Sequence, residues 1–380
     1  MSSAALPSVT LVSGDFVPTG GMDMPNLALA RFLAGQGRQI DVVAYRIDES
    51  LSTLGNVHFH RVPKPLKSYF VSSPLLAVRG KEIGSRTLRD GGRTVVNGGN
   101  CELPDVNWVH YVHAAYDNAP AQLVRRAKQA VERRLALQAE RRCLSRARLV
   151  IANSRRTKRD LVELVGIDPT CIEVVYYGVD ERFRPAGEEE RRQLRERLSL
   201  GSEPIVVFVG ALGDRRKGFD TVFDAWQGLG NNWDATLLVV GRGAELPAWQ
   251  TRVERAGLSR SVKFLGFRSD VPDILRAADA IVAPTRYEAF GQAVHEALCC
   301  GVAPIVSADA GVTDRFGTDF SGLLLRDPAS SSELRTKLLE WRSSLTEQRE
   351  VASRLAARLS ERSWDTMSSE SAGLLERSSA

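Results

Sequence analysis

Short segments rich in valine and isoleucine alternate along this chain with segments whose apolar residues recur at helical spacing. "SVTLVSGDF" (8–16) has the pattern of a strand, "GGMDMPNLALARFLAGQG" (20–37) that of a helix, and "QIDVVAY" (39–45) that of the next strand. This order predicts a βαβ unit, which is the building block of a parallel, doubly wound sheet. A second series of the same kind begins with "PIVVFVGAL" (204–212) and continues to "APIVSAD" (303–309).

The chain has 380 residues, which is long for one hydrophobic core and suits two domains of ordinary size. A short joint around residues 176–185 separates the two series, so we predict domains that span residues 1–183 and 184–362. The predicted fold class is α/β, with two Rossmann-like, doubly wound domains that face one another across a cleft. Ligands of such sheets bind at the carboxyl ends of the strands.

The composition is that of an ordinary soluble protein, with 43% hydrophobic and 26% charged residues. No apolar run reaches the ~18 residues of a membrane-spanning helix, and the amino-terminal residues lack the pattern of a secretory signal. The cysteines are scattered without a metal-binding spacing, which favours reduced thiols. These are Cys101, Cys143, Cys171, Cys299 and Cys300. We therefore expect a cytoplasmic protein.

One segment of the chain is strongly basic. From Arg125 to Asp160 it holds thirteen lysines or arginines against three acids, whereas the whole chain carries a net charge of +5. Such an excess attracts anionic lipid headgroups, nucleic acid or a phosphorylated substrate, or it forms a solvated helix face. No RNA-binding signature or zinc finger accompanies it, so nucleic acid is not expected as a partner. A peripheral contact with the anionic inner face of a membrane stays open.

The stretch "RYEAFGQAVHEALCCG" (286–301) carries the strongest functional signal. It follows a predicted strand that ends at Pro284, and Gly291 lets the backbone come close to a ligand because it has no Cβ. A helix that starts near Gln292 would point the amides of Gly291, Gln292 and Ala293 at an anion. Together with the helix dipole, these amides suit a diphosphate.

Two glutamates flank this predicted anion site. Glu288 lies before the helix and Glu296 lies one turn inside it. On either side of a diphosphate, they would accept hydrogen bonds from the hydroxyls of an attached sugar and of a ribose. Taken alone, however, a glutamate pair at this spacing also fits ordinary loop and helix charges.

The segment "EAFGQAVHEALCCGVAPIVSADAG" (288–311) resembles the E-x7-E motif of the family 4 retaining glycosyltransferases, which have the GT-B fold. Other segments resemble further parts of that family and follow in its order: "VIANSRRTKRDL", "FVGALGDRRKGFD", "VVGRG", "VKFLGF", "DILRAADAIVAP" and "SWDTMSSESAGLL". The likeness is strongest from Ile205 to Pro328. It also implies that residues 363–380 form a last helix that crosses back to the amino-terminal domain.

The resemblance implies roles for individual residues. Glu288 would contact the transferred sugar, Glu296 the ribose and Lys217 the diphosphate, while the backbone near Phe267 would contact the base. Phe290 and the helix start at Gly291, Gln292 and Ala293 would complete the donor site.

This chain departs from the family pattern at the first donor strand. Ala211 stands where the family often has an arginine, so Arg216 or Arg215 is expected to supply that cation, and we favour Arg216 beside Lys217. No D-x-D metal signature is present. The leaving diphosphate would then be stabilised by cations and helix amides, and we expect no metal and no cofactor.

The amino-terminal half is expected to bind the acceptor. Gly20 and Gly21 follow the first strand and precede a helix, so they either approach the ligand or form a structural turn. In "NWVHYVHAAYD", both His110 and His113 are candidates for the family's histidine near the transferred sugar. We favour His113, because it lies nearer the end of the predicted strand.

We therefore predict a retaining glycosyltransferase that moves a sugar from a nucleoside diphosphate to an acceptor hydroxyl. A UDP-sugar is the expected donor, with GDP-mannose as an alternative. The expected acceptor is a small molecule, a glycan or a lipid-linked compound. A GT-B epimerase or hydrolase, or a sugar-nucleotide-binding protein without activity, stays open. A dinucleotide oxidoreductase is disfavoured, because no G-x-G-x-x-G follows the first strand.

Overall fold

The computed structural model describes residues 6–65, 68–116, 123–230 and 233–377. The chain forms two compact units. Unit 1 contains the residues up to Gly178 and those from Trp364 onward, and unit 2 runs from Val179 to Ser363.

The strands of both units are short, and most of them are apolar and buried. They are β1 (Val9–Val12), β2 (Asp15–Phe16), β3 (Ile40–Ala44), β4 (Arg46–Ile47), β5 (Val57–Arg61), β6 (Arg93–Asn97), β7 (Val106–Val109), β8 (Leu149–Ala152), β9 (Ile172–Val174), β10 (Ile205–Val209), β11 (Thr236–Val240), β12 (Val262–Gly266), β13 (Ala280–Ala283) and β14 (Ala303–Val306).

All strand pairs in the two main sheets are parallel. Unit 1 has a seven-stranded sheet in the order β5-β3-β1-β6-β7-β8-β9, and unit 2 has a five-stranded sheet in the order β12-β11-β10-β13-β14. β2 and β4 form a separate parallel pair. Because both orders reverse direction beside the first strand of the unit, each unit is doubly wound, which confirms the predicted α/β fold.

Helices connect these strands. They are α1 (Asp23–Gly35), α2 (Glu49–Ser52), α3 (Tyr69–Arg89), α4 (Leu123–Arg146), α5 (Arg155–Asp160), α6 (Glu188–Arg197), α7 (Phe219–Leu229), α8 (Leu246–Arg255), α9 (Val271–Ala277), α10 (Gln292–Cys299), α11 (Ser331–Ser343), α12 (Leu345–Ser360) and α13 (Trp364–Arg377).

The carboxyl-terminal helix α13 returns to unit 1, as predicted. It packs against α1 and buries Met367, Leu374 and Leu375. At its end, Glu376 forms an ion pair with Arg38, whose side chain is buried. The return is therefore held by both apolar and charged contacts.

The division between the units lies after Gly178, earlier than the boundary that we predicted after Phe183. The reason is that Val179 already belongs to unit 2. Its N–H donates to the carbonyl of Arg362, and it pairs with Ser363 in an isolated parallel bridge. Phe183 is also buried in the core of unit 2.

A buried carboxylate ties the elements of unit 2 together. Asp279, just before β13, accepts hydrogen bonds from the N–H of Ile205 at 2.8 Å and from Arg195 at 2.7 Å. Its other oxygen accepts from Arg191 at 2.6 Å and from Nε of Arg349 at 2.9 Å. Since these partners come from β10, α6 and α12, one acid links a strand of the sheet to two helices.

Replacing Asp279 by alanine should lower the free energy of unfolding of unit 2 by about 3 kcal/mol, because three arginines lose their shared buried carboxylate. Chemical denaturation measures this change. The matched control is Asp234→Ala, which removes an exposed ion pair with Arg342 and should cost less than about 1 kcal/mol. An equal cost in the two variants would show that the Asp279 cluster is not a principal support of unit 2.

Candidate active site

The predicted helix start is present, at the amino end of α10. Gly291 precedes the helix with a φ of 107°, which a residue with a side chain rarely adopts. A Cβ at this position would lie 3.1 Å from Cγ1 of Val312 and 3.3 Å from Cγ of Glu288. The backbone conformation therefore favours glycine here, and a side chain would also have to displace Val312 or Glu288 slightly.

Gly291, the N-cap residue of α10, has no side chain that could cap the helix. The N–H groups of Val294 and His295 donate to the carbonyl of Gly291. The amide of Ala293 belongs to the first turn and has no acceptor within the helix. The helix dipole adds positive potential at the same place, so this end suits an anionic group.

Glu288 lies beside two cations from another loop. Its Oε2 accepts a hydrogen bond from the Lys217 ammonium at 2.7 Å, and Nη1 of Arg216 lies 3.7 Å from the same oxygen. All three side chains are mostly buried. The geometry thus brings together two cations, one carboxylate and an uncapped helix start.

The loop of Lys217 is held in place by backbone contacts with the loop that follows β13. A short 3-10 turn, Arg215–Lys217, ends at Gly218, where φ is 73°. A Cβ on Gly218 would lie only 2.1 Å from the carbonyl oxygen of Pro284. The N–H of Arg286 donates to the carbonyl of Arg216 at 2.8 Å. The two loops therefore pack backbone against backbone.

Arg216 is oriented by further hydrogen bonds. Asp214 caps the 3-10 turn by accepting from the N–H of Arg216 at 3.0 Å, and its other oxygen accepts from Nε at 3.2 Å. Nη1 of Arg216 donates to the carbonyl of Tyr287 at 3.1 Å. The sequence analysis did not identify Asp214. Its position one residue before the pair of arginines was the available signal, since aspartate is a common cap.

The two candidate arginines differ in position. Arg215 is 65% exposed and lies 3.7 Å from the carboxylate of Asp220. Asp220 itself is bound by Arg286 through two hydrogen bonds of 2.9 Å. The structure therefore brings Arg216, and not Arg215, next to Glu288.

Glu296 lies one turn inside α10 and differs electrostatically from Glu288. It accepts a hydrogen bond from Nε2 of Gln292 at 3.2 Å. Burial raises its pKa to about 7, the nearby charge of Asp180 adds to this, and the Gln292 bond and Arg182 act against it. Glu296 can therefore accept or donate a hydrogen bond near neutral pH.

Phe267 follows β12 and is 60% exposed. The guanidinium carbon of Arg242, which follows β11, lies 5.0 Å from the centre of its ring. The N–H of Gly241 donates to the carbonyl of Gly266, so the two loops are joined. An exposed aromatic ring with a stacked arginine is a suitable platform for a planar base. Arg242 was not identified from the sequence, although it lies within the quoted "VVGRG".

The remaining predicted residues lie in unit 1. Gly20 has a φ of 129° and its carbonyl accepts from the N–H groups of Asp23 and Met24, both at 3.3 Å. Gly20 and Gly21 thus form the turn that starts α1. This arrangement fits the structural alternative as well as a ligand-facing one.

The two histidines have different surroundings. β7 ends at Val109, so His113 is not on a strand but starts a 3-10 turn, where its N–H donates to Glu140 at 2.8 Å. His113 is exposed. His110 is buried between the hydroxyl of Tyr177 and Oδ1 of Asn26, and burial lowers its pKa to about 3. His110 is therefore a neutral core residue.

Two features are absent from the part of the chain that the structure describes. In 6–65, 68–116, 123–230 and 233–377, no group of three or more histidine, cysteine or acidic side chains is placed to hold a metal ion. Within the same ranges, no helix is both long and apolar enough to cross a membrane.

The raised pKa of Glu296 predicts a pH-dependent stability. The folded protein keeps the Glu296 proton up to about pH 7, whereas the unfolded chain releases it near the ordinary value of 4.5. The wild type should therefore lose stability between these values as the pH rises. The Glu296→Gln variant does not have this loss. Its free energy of unfolding relative to that of the wild type should therefore increase by about 1–3 kcal/mol as the pH rises over that range. Denaturation at several pH values measures it.

Glu340→Gln, on the exposed surface of α11, is the control for this comparison and should track the wild type at every pH. If the difference between Glu296→Gln and the wild type were constant with pH, the titration of Glu296 would be excluded as its cause.

Two family models match the chain. A model described as "Glycosyltransferase Family 4" matches residues 19–183, and one described as "Glycosyl transferases group 1" matches residues 190–358. A D-inositol 3-phosphate glycosyltransferase from Jonesia denitrificans is 27% identical over 342 residues, which cover 81% of this chain and 80% of that protein.

Solved structures of glycosyltransferases share the fold of this chain. Sucrose-phosphate synthase from Thermosynechococcus elongatus has a TM-score of 0.80 at 20% identity and covers 98% of this chain and 99% of its own. Anabaena HepE, solved with UDP and glucose, has a TM-score of 0.72 at 19% identity and covers 98% and 100%. The chain has two Rossmann-like units, and the two family models match one after the other along it. The chain therefore belongs to the family 4 glycosyltransferases of the GT-B fold.

Proposed function

We propose that this glycosyltransferase transfers a sugar from a nucleoside diphosphate to an acceptor hydroxyl, that it retains the anomeric configuration, and that it needs neither a metal nor a cofactor. The observation that carries the proposal is the contact of Glu288 with Lys217 and Arg216 beside the uncapped start of α10.

The charges of this site match those of a sugar diphosphate. A diphosphate placed at the start of α10 meets the helix amides and the two cations, which stabilise the negative charge that develops as it leaves. Because Lys217 and Arg216 already contact Glu288, they also offset the repulsion between that carboxylate and the phosphates. Glu288 then accepts hydrogen bonds from hydroxyls of the sugar.

Helix α10 and the loops after β11 and β12 supply the groups for the other parts of the donor. Glu296, one turn further into α10, binds the ribose hydroxyls, and the platform of Phe267 and Arg242 binds the base. Anabaena HepE was solved with UDP and glucose, which supports UDP as the nucleotide. The inositol phosphate acceptor in the name of the Jonesia relative supports a hydroxylated acceptor here.

We propose that the anomeric configuration is retained because bond breaking and bond formation take place on the same face of the sugar. The bond between the anomeric carbon and the diphosphate oxygen breaks, and the acceptor oxygen bonds to that carbon from the same side. The acceptor proton passes to the leaving phosphate oxygen. On this path, the role of the protein is to position both substrates and to stabilise the leaving group.

We also propose that unit 1 contacts an anionic membrane. Val131 and Leu135, one turn apart on α4, are 57% and 45% exposed, and Arg134, Arg141 and Arg142 on the same helix are exposed as well. Apolar side chains that enter the interface and arginines that meet lipid phosphates are the two parts of a peripheral contact. The side chains of residues 125–129, the first part of the predicted basic segment, lie outside the described residues.

Replacing Glu288 by alanine should lower kcat for sugar transfer by about a hundredfold or more, because the transferred sugar loses its carboxylate partner. Product formation from UDP-glucose, GDP-mannose and ADP-glucose measures activity. The thermal shift that the preferred donor causes in the wild type should persist, because the phosphate and ribose contacts remain. Glu254→Ala, exposed on α8, is the control. Near-normal transfer by Glu288→Ala would refute the proposed role.

The membrane proposal predicts that the wild type sediments with vesicles of phosphatidylglycerol and phosphatidylcholine at low salt and much less at high salt. Leu135→Asp should weaken this binding at least about tenfold, since a charge enters the apolar interface. Leu339→Asp, at an exposed leucine of unit 2, should bind as the wild type does. Equal binding of both variants, or binding without salt sensitivity, would contradict the proposal.

A further inference from the structure

We infer that six side chains of unit 1 form an acceptor site for an uncharged polyhydroxylated ring, a sugar or a cyclitol. They are Asp15, Asp23, Tyr45, Arg46, Lys64 and Tyr69. This inference rests on the proposed glycosyltransfer, and it identifies the class of acceptor.

Asp15 is the buried centre of this cluster. Its carboxylate accepts two hydrogen bonds of 2.9 Å from Nε and Nη2 of Arg46 and another from the hydroxyl of Tyr69. Although burial raises the pKa of Asp15, the bonds from Arg46 and Tyr69 hold it below its ordinary value. Asp15 is therefore ionised and held by both partners, and its role is to orient Arg46 and Tyr69, both of which reach the surface.

Lys64 lies over two aromatic rings. Its ammonium is 2.9 Å from the centre of the Tyr69 ring and 5.3 Å from that of Tyr45. The rings of Tyr45, which is buried, and Tyr69 are arranged edge to face, with centres 5.7 Å apart. No described residue accepts a hydrogen bond from the Lys64 ammonium, so its donors are available to a ligand beside the exposed part of Tyr69.

Asp23 supplies the complementary acceptor. Its carboxylate lies over the Gly20 turn, 2.9 Å from where a Cβ on Gly20 would be. Within the described ranges, no group donates a hydrogen bond to it. Burial, followed by the charge of Asp15, raises its pKa to about 6, while Arg46 and Lys64 act in the opposite direction. These four charges are therefore close enough to influence one another.

The cluster occupies the place where a parallel sheet binds its ligand. Asp15 and Asp23 follow β1, Tyr45 and Arg46 follow β3, and Lys64 and Tyr69 follow β5. These three strands are neighbours in the sheet, and their carboxyl ends lie at the same edge.

The chemistry of the exposed groups defines the acceptor class. Tyr69, which is 53% exposed, offers an aromatic surface to the C–H face of a ring. Lys64 and Arg46 donate to hydroxyl oxygens, and Asp23 accepts from a hydroxyl. With both acids ionised, the two cations are balanced by two anions, so the site as a whole favours a neutral ring over a phosphorylated one.

The test compares Asp23→Asn and Lys64→Met with the control variants Asp90→Asn and Lys81→Met, at exposed positions of α3 and its end. The acceptors are myo-inositol, D-glucose and D-fructose, each with a phosphate ester as the charged counterpart. Each enzyme is measured for its thermal shift with donor, for the slow release of sugar to water, and for kcat and KM with each acceptor.

We expect the two cluster variants to raise the acceptor KM about tenfold or more, with an unchanged donor shift and unchanged release to water, and we expect the controls to match the wild type. Unchanged KM values in both variants would overturn the assignment. So would transfer by the wild type to none of the free rings, or a preference for phosphate esters that Lys64→Met abolishes. Absence of a donor shift in the wild type would instead refute the proposed function itself.

Discussion

The hydrogen bond between Lys217 and Glu288 joins two loops whose residues are 71 positions apart in sequence. The candidate site at the start of α10 depends on this contact between the two loops. It is possible because β10 and β13 are adjacent parallel strands, so the loops at their carboxyl ends share one edge of the sheet. Gly218 permits the backbones to touch at Pro284, and a side chain there would push the cation away from the acid.

The two glutamates of the motif have distinct physical surroundings. Glu288 contacts two cations, whereas Glu296 has one amide partner and mixed charges at longer range. Burial therefore dominates at Glu296 and raises its pKa to about 7. Glu288 is paired with the two cations that we propose for phosphate binding, whereas Glu296 can donate or accept a hydrogen bond. The two glutamates of this motif therefore differ in chemistry, because their surroundings differ.

Local sequence patterns predicted much of the architecture. The run from Ile205 to Val209 predicts a strand, and Gly291 predicts the start of α10, because both signals depend on a few adjacent residues. Arg216 was favoured over Arg215 only through its neighbour Lys217, and the structure places it beside Glu288. The domain boundary was placed too late, since the bridge of Val179 to Ser363 joins residues distant in sequence. His113 likewise proved to lie on a 3-10 turn beyond the strand.

The sequence by itself determined the alternation of strands and helices, the glycines where the backbone must turn, and the order of motifs that identifies the family. These follow from periodicity and from the conformations that single residues allow. Only the tertiary structure decided that Asp214 holds Arg216, that Arg242 stacks on Phe267, and that Asp15 lies beneath Arg46 and Tyr69. Each of these contacts joins side chains from different loops or fixes a side-chain direction. Such contacts form only when parallel strands bring their carboxyl ends together. The order of strands in the sheet decides which loops become neighbours, and no local sequence pattern specifies that order.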